Sequence, residues 1–284
     1  MVELGKTGPQ PKAGSLRGSA QGRFPGVKPE AMERDLLRAL DRQEIEVLFQ
    51  PQFACSTGAL VGAEALARWQ HPSLGEIGAR DLFAIAETAA LVAPLSRHVV
   101  ARALEDAANW PEDLTLSLNI TPEELGDRHF AADFAEQISK SRVSPSRLML
   151  EITEDLLLRN IDQAAEALSA LRALGFRTAL DDFGAGFCNF RYLRDLPLDA
   201  IKLDKVMLYG VPSDTKALAV LRAIIALAHA LELDIYAEGV EDDVQRATII
   251  AEGCSYWQGF LRAQPMPSDE MLAMAKTARG RGHG

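Results

Sequence analysis

Seven short segments of this chain run into a residue that can ligate a metal ion or handle a proton: Glu64, Asn119, Glu151, the pair Asp181-Asp182, Lys202, Glu238 and Gln258. Taken singly, an Asp or Glu after a strand is ordinary, since most such residues cap a loop or face solvent. Seven in succession are not. If the segments are strands of one barrel, their C-terminal ends converge on one mouth and the side chains crowd a single pocket. Four or five carboxylates held together repel one another and raise each other's pKa, a penalty that divalent cations remove. Oxygen ligands alone, an Asn carbonyl among carboxylates with no Cys or His, favour hard ions such as Mg²⁺ or Mn²⁺. The adjacent Asp181 and Asp182 could supply one bridging and one terminal ligand. Two ions about 4 Å apart suit an in-line displacement at phosphorus. Lys202, within Asp-Ala-Ile-Lys-Leu-Asp, would bring a point charge with three donors to the same mouth, to hold a phosphate or an attacking water. None of His71, His98, His129, His229 and His283 ends a strand in this reading, which disfavours zinc.

The elements that must position these residues are visible as strand-like runs: Glu46–Phe53, Leu60–Ala67, Leu114–Ile120, Arg147–Ile152, Thr178–Phe183, Ala200–Leu203, Asp234–Ala237 and Ser255–Phe260. Amphipathic stretches such as Phe134–Ser139, Asp162–Leu174, Thr215–Leu231 and Asp243–Ala251 lie between most of them. Strands separated by helices call for a parallel sheet, and about eight such units point to a closed barrel. A further helix is expected from near Pro29, with Leu36, Leu37 and Leu40 on one face. A doubly wound open sheet is the structural alternative, weakened because no GxGxxG or P-loop string follows a strand.

At 284 residues the chain has the length of one barrel of about 250 residues plus a tail. Residues 1–30 are rich in Gly, Pro, Ser and basic side chains and poor in apolar ones, so a disordered tail or linker is expected there, with the barrel over residues 31–280. The net charge of −10 argues against DNA or RNA as a partner, which would require clustered Lys and Arg. It still allows a phosphate-bearing substrate, provided cations neutralise the site. The most apolar stretch, Ala217–Ala230, is broken by Arg222 and His229, short of the ~18 residues of a membrane span. Cys55, Cys188 and Cys254 are scattered without metal-ligand spacing, as in a reducing compartment. The N-terminus carries no apolar signal core, and a cytoplasmic setting is expected.

In order along the chain stand Phe49-Gln50-Pro51, Glu64-Ala65-Leu66-Ala67-Arg68-Trp69, Leu118-Asn119-Ile120 and Glu151-Ile152-Thr153-Glu154. Asp181-Asp182-Phe183-Gly184-Ala185-Gly186, Ile201-Lys202-Leu203-Asp204, Ala237-Glu238-Gly239-Val240-Glu241 and Gln258-Gly259-Phe260 follow. Each string is weak alone. Together and in order they resemble the EAL family of cyclic di-GMP phosphodiesterases from Gln50 to about Pro265. The resemblance implies an α/β fold, a modified TIM (β/α)8 barrel with one antiparallel strand. It also implies two divalent cations, Mg²⁺ or Mn²⁺. Glu64, Asn119, Glu151 and Asp181 match the ligands of one ion; Asp181, Asp182 and Glu238 match those of the other, Asp181 bridging. Lys202 matches the lysine that orients the nucleophilic water, and Glu238 is also cast as a general base. With Glu64 they make up the implied catalytic set. Gln258 matches a further active-site position; Gln50, Leu66 and Arg68 match substrate-side positions, Arg68 being suited to a phosphate oxygen. Glu241 matches an outlying acid on the substrate side, and Glu154 an acid that tethers the Asp-Asp-Phe-Gly loop.

The implied activity is hydrolysis of cyclic di-GMP to linear 5′-pGpG. The alternative is a catalytically silent domain that binds cyclic di-GMP as a receptor. The implied partners are that nucleotide, a second copy of the chain in a dimer, and a sensory or diguanylate cyclase domain elsewhere. The sequence departs from the family pattern after the paired aspartates. The usual Asp-Phe-Gly-Thr-Gly-Tyr-Ser-Ser is here Asp182-Phe183-Gly184-Ala185-Gly186-Phe187-Cys188-Asn189, so four hydroxyl groups are gone from a loop associated with regulation. Ala79 stands where a proline is common. No match to a metal or lysine position is lost.

Overall fold

Strands buried on both faces read as near-continuous apolar runs, and Leu148–Thr153 and Ala200–Leu203 are such runs, buried almost throughout. A computed structural model describes Phe24 and residues 28–153, 161–186, 190–211 and 213–280. Most of the expected tail lies outside the described residues, as do Glu154, Phe187, Cys188 and Asn189.

The chain order is α1 (Pro29–Arg42), β1 (Ile45–Ala54), β2 (Leu60–His71), β3 (Gly75–Gly78), α2 (Ala79–Thr88), α3 (Val92–Ala107) and β4 (Thr115–Asn119). Next come α4 (Pro122–Leu125), α5 (Phe130–Ser139), β5 (Leu148–Thr153), α6 (Ile161–Ala173), β6 (Arg177–Phe183), α7 (Phe190–Asp195) and β7 (Ala200–Leu203). The last elements are α8 (Thr215–Ala230), β8 (Asp234–Ala237), α9 (Asp243–Glu252), β9 (Tyr256–Trp257) and α10 (Ser268–Gly280). The strands pair in the order β1-β9-β8-β7-β6-β5-β4-β2, and β1 also pairs with β2, which closes a ring of eight. β3 hangs outside the ring as a hairpin on β2. β1 is antiparallel to both neighbours, and the other ring pairs are parallel. The modified barrel expected from the sequence is the fold present. β1 reverses because only Cys55–Ala59 separate it from β2, too few residues for a crossover helix.

Two boundaries differ from the sequence reading. β2 was expected over Leu60–Ala67, but it continues to His71, pairing with β1 as far as Trp69 and with β3 from Arg68 onward. What stops at Glu64 is only the parallel ladder with β4, whose last pair is Glu64 with Ser117. His71 therefore does end a strand. It sits at the far tip, however, where its Nδ1 accepts from the Ser73 and Leu74 amides at 3.1 and 3.2 Å. β9 is two residues long rather than six, and just beyond it Gly259 lies so close to Val240 that a Cβ there would overlap the Val240 carbonyl.

The barrel has two apolar layers. Outside it, Leu148, Leu150, Ile152, Leu180, Ile201, Leu203 and Ile235 are fully buried beneath the helices, each contributing about 1.5–3 kcal/mol of transfer free energy. Inside, Met149, Ala179, Ala200 and Tyr236 form a separate plug, with Tyr256 stacked on Tyr236 at 4.6 Å between ring centroids. Close strand approach needs small residues: a Cβ on Gly62 in β2 would overlap the Thr115 carbonyl of β4. Cys55 and Cys254 are free, buried thiols. Among the described residues no helix is long and apolar enough to cross a membrane.

At the foot of the barrel Arg147 is buried and donates from Nε to the Leu114 carbonyl (3.0 Å) and from Nη2 to the Ala107 carbonyl (3.2 Å). It thereby ties the end of α3 and the approach to β4 to the start of β5. Arg147→Met should leave both carbonyls without this donor, lowering stability by about 1–3 kcal/mol. A calorimetric melting temperature about 5 °C below that of the unaltered chain is expected; an unchanged value would show that the tie is dispensable.

Candidate metal centre

Along a strand every second side chain faces the same way. On five neighbouring strands the residue two positions beyond the apolar plug is polar. Glu151 follows Met149, Asp181 follows Ala179, Lys202 follows Ala200, Glu238 follows Tyr236, and Gln258 follows Tyr256. The plug thus carries a polar layer directly above it. The remaining wall adds Glu64, paired in register with Gln50 of β1, and Asn119, paired in register with Glu151.

Lys202 stands at the centre of this layer, 1% exposed. Its Nζ lies 2.6 Å from Glu151 Oε2, 2.7 Å from Glu238 Oε1, 3.0 Å from Glu64 Oε2 and 3.2 Å from Asp181 Oδ1. Gln258 Nε2 donates to Glu64 Oε2 (2.7 Å) and to Glu238 Oε1 (3.0 Å), and Asn119 Nδ2 donates to Glu64 Oε1 (3.1 Å). The two ends of this network differ in how many donors they receive. Burial alone would raise the Glu64 carboxyl, but the Lys202 charge and hydrogen bonds from Gln258, Lys202 and Asn119 outweigh it and hold it below its ordinary range. Glu151 is equally buried, receives only Lys202, and is pushed well up by desolvation and by the Glu64 charge. Its Oε1 has no hydrogen-bond partner among the described residues. Glu238 and Asp181 are also raised, by burial first and by neighbouring acids next. The Lys202 ammonium is held well above its usual range, the four acids overcoming the burial that would lower it.

The paired aspartates pose a geometric question, since alternation would send adjacent residues to opposite faces. The β6–β7 register slips between Leu180 and Phe183, and Asp182 sits in the left-handed region at φ 55°. A bulge with a left-handed residue re-aims one side chain, so both carboxylates reach the mouth. Desolvation, with the Asp181 charge, pushes Asp182 up to about 6.

Two acid groups emerge, Glu64–Glu151–Asp181 and Asp181–Asp182–Glu238, each with one oxygen per residue within 4.8 Å of the others. Asp181 belongs to both. The donor set suits hard divalent cations. Five acids against one lysine leave −4 when all are ionised (5 − 1), the charge that two divalent ions would cancel. Glu151 Oε1, without a hydrogen bond among the described residues, and Asp181 Oδ1, buried and held only by the Lys202 charge at 3.2 Å, are oxygens that a cation could take. The residues fit metal ions.

The other sequence-predicted residues divide. Gln50 is buried, its amide donating to the Ala263 carbonyl at 2.7 Å. Leu66 and Arg68 follow Glu64 on the same face of β2, half-buried, leading from the acids to solvent. Arg68 Nε is 3.7 Å from Glu76 of β3, a hairpin the sequence reading did not mark. Glu241 is exposed, and its carboxylate joins none of these acids. Gln52 was missed altogether, although two glutamines at a two-residue step in an apolar strand place both on one face; it is fully buried and donates to Gln258.

Comparison with known proteins follows the same line. The family model of the EAL domain matches residues 33–265. The cyclic di-GMP phosphodiesterase RocR of Pseudomonas aeruginosa is 36% identical over 241 residues, covering 84% of this chain and 62% of that protein. The cyclic di-GMP phosphodiesterase NbdA of the same organism is 35% identical over 240 residues, covering 83% of this chain and 31% of that protein. The chain therefore spans less than two thirds of the length of either. A solved structure of the PaMucR phosphodiesterase in complex with c-di-GMP superposes with a TM-score of 0.80 at 31% identity, over 85% of this chain and 99% of that one.

Removing the central ammonium tests the charge balance without any substrate. Lys202→Met strands buried acids, and breaking a buried pair in this way costs about 3–5 kcal/mol. The metal-free melting temperature should fall by about 10 °C, and MnCl2 should restore most of the loss. A metal-free variant as stable as the unaltered chain would show that Lys202 does not balance this layer.

Proposed function

The chain belongs to the EAL domain family, and from that membership we propose that it hydrolyses cyclic di-GMP to linear 5′-pGpG with the help of two divalent cations, Mg²⁺ or Mn²⁺. The observation that carries this reading is the sharing of Asp181 between two acid groups. One such group alone would serve a structural cation; two that share a bridging carboxylate are the pattern of a phosphoryl-transfer centre. The names of RocR and NbdA support the substrate, as does the c-di-GMP complex of PaMucR.

Glu64, Asn119, Glu151 and Asp181 are assigned to one cation, and Asp181, Asp182 and Glu238 to the other. When bound, the cations would lower the pKa of water and neutralise the phosphodiester. The chain's own groups do the rest. Leu66 and Arg68 lead outward from Glu64 along one face of β2, a wall for an extended ligand, with Arg68 and its planar guanidinium suited to a phosphate oxygen. Gln50 lines the same wall from β1. Lys202 orients the attacking water through its Nζ donors, and Glu238 accepts that water's proton. The water oxygen bonds to phosphorus in line, the bond to the ribose 3′-oxygen breaks and that oxygen takes up a proton, so one water is consumed per linear product.

Chromatography of cyclic di-GMP incubated with the purified chain is the direct test. A pGpG peak that requires Mg²⁺ or Mn²⁺, disappears with EDTA and is absent from Glu64→Ala is expected. Nucleotide that binds but stays cyclic would instead identify a receptor. Ca²⁺, with its larger and more flexible coordination, should inhibit; full turnover with Ca²⁺ as the only divalent ion would count against this centre.

A further inference from the structure

Gln258 is an amide among charges. Its Nε2 donates to Glu64 at 2.7 Å and to Glu238 at 3.0 Å, one acid from each of the two groups that share Asp181. It therefore spans the two halves of the centre. Turned over, the same amide would present its oxygen to both carboxylates, which accept and do not donate when ionised. Something must hold it the right way round.

The antiparallel course of β1 supplies that group. Phe53 pairs with Trp257 and Ala54 with Tyr256, so the next step in the same register brings Gln52 opposite Gln258. Gln52 is wholly buried and donates from Nε2 to Gln258 Oε1 at 3.0 Å and to Ser117 Oγ at 3.4 Å. Its own Oε1 has no hydrogen-bond partner among the described residues. An amide buried with its acceptor unused is oriented by what its nitrogen reaches, and here the nearer atom is the oxygen of Gln258. The direction of donation then runs one way, from Gln52 to Gln258 to the two acids.

We propose that Gln52 is a positioning residue for the metal centre: its donation to Gln258 Oε1 locks the Gln258 amide with both hydrogens toward Glu64 and Glu238, and so sets the two acid groups for the cation pair. The inference rests on the metal-centre reading above. Removal of a partner behind a metal ligand typically weakens binding by about 10–100-fold.

The test is calorimetric titration of Mn²⁺ alone, without nucleotide, into four forms of the full chain: unaltered, Gln52→Met, Gln258→Met, and both together. Gln52→Met is close in size and keeps no donor. It should weaken Mn²⁺ binding by about 10-fold or more. In the Gln258→Met background the same change should matter less than about 3-fold, because the two residues act as one unit. If Gln52→Met does not fold, as judged by its melting curve, Gln52→Asn, which keeps an amide too short to reach, takes its place with the same expectation. Unchanged Mn²⁺ affinity in the single variant, or an equal loss in both backgrounds, overturns the role of Gln52 while leaving the centre intact. No Mn²⁺ binding by the unaltered chain would overturn the centre itself, and this inference with it.

Discussion

One buried ammonium decides how the mouth of this barrel is built. Lys202 holds four carboxylates within 3.2 Å in a layer closed to water below by Tyr236, Tyr256 and Met149. At an effective dielectric of about 20 an attraction over about 3 Å is worth about 5 kcal/mol, and a repulsion over about 5 Å about 3 kcal/mol. One cation among several acids is thus barely sufficient before desolvation is counted. Burial and neighbouring acids push the carboxyls of Glu151 and Glu238 upward, whereas Glu64, reached by Lys202, Gln258 and Asn119 together, is held below its ordinary range. A centre poised in this way is unfinished in charge, and that is the property a divalent cation exploits.

The architecture around that layer bends ordinary barrel rules at two places, and both serve the centre. β1 runs against its neighbours, with Gln50 in register with Glu64 and Gln52 bonded to Gln258. β6 carries a bulge at Asp181 and Asp182, so that consecutive residues share a mouth that alternation would divide between inside and outside. The bulge has an energetic cost, since non-glycine residues seldom sit at positive φ, though Asp is among those that tolerate it. Strain at this position is the kind that persists where surrounding structure over-determines it.

Kinship and geometry support the same chemistry by separate routes. Similarity to RocR and NbdA concerns the whole domain, whereas the two acid groups sharing Asp181 are a local fact about five side chains. The wall of β2 beyond Glu64 links them. It exists because β2 outruns its parallel partner and continues between β1 and β3, carrying Leu66 and Arg68 past the rim. A strand that ended at the rim would leave the acid cluster without this adjoining wall.

Periodicity and residue type, read along the chain alone, determined the closed barrel, the polar residue at the end of each strand run, and the identity of the five acids and the lysine. These are local properties: alternation along one strand marks its inward face, and strand, helix and turn signals repeat at fixed spacing. The antiparallel strand came from family resemblance and agrees with the short turn after Ala54. Tertiary structure alone decided the rest. That Glu64 and Glu151, two buried glutamates, take opposite protonation tendencies depends on which donors arrive from strands 51 to 194 residues away. That Gln52 meets Gln258 depends on a partner 206 residues distant; its two-residue step from Gln50 shows the face it occupies but not the neighbour it finds there. Where β2 stops pairing, and which way Asp182 turns, are likewise set by neighbouring strands. Sequence spacing specifies the face a side chain occupies; the donors and charges it meets there are supplied by non-local pairing.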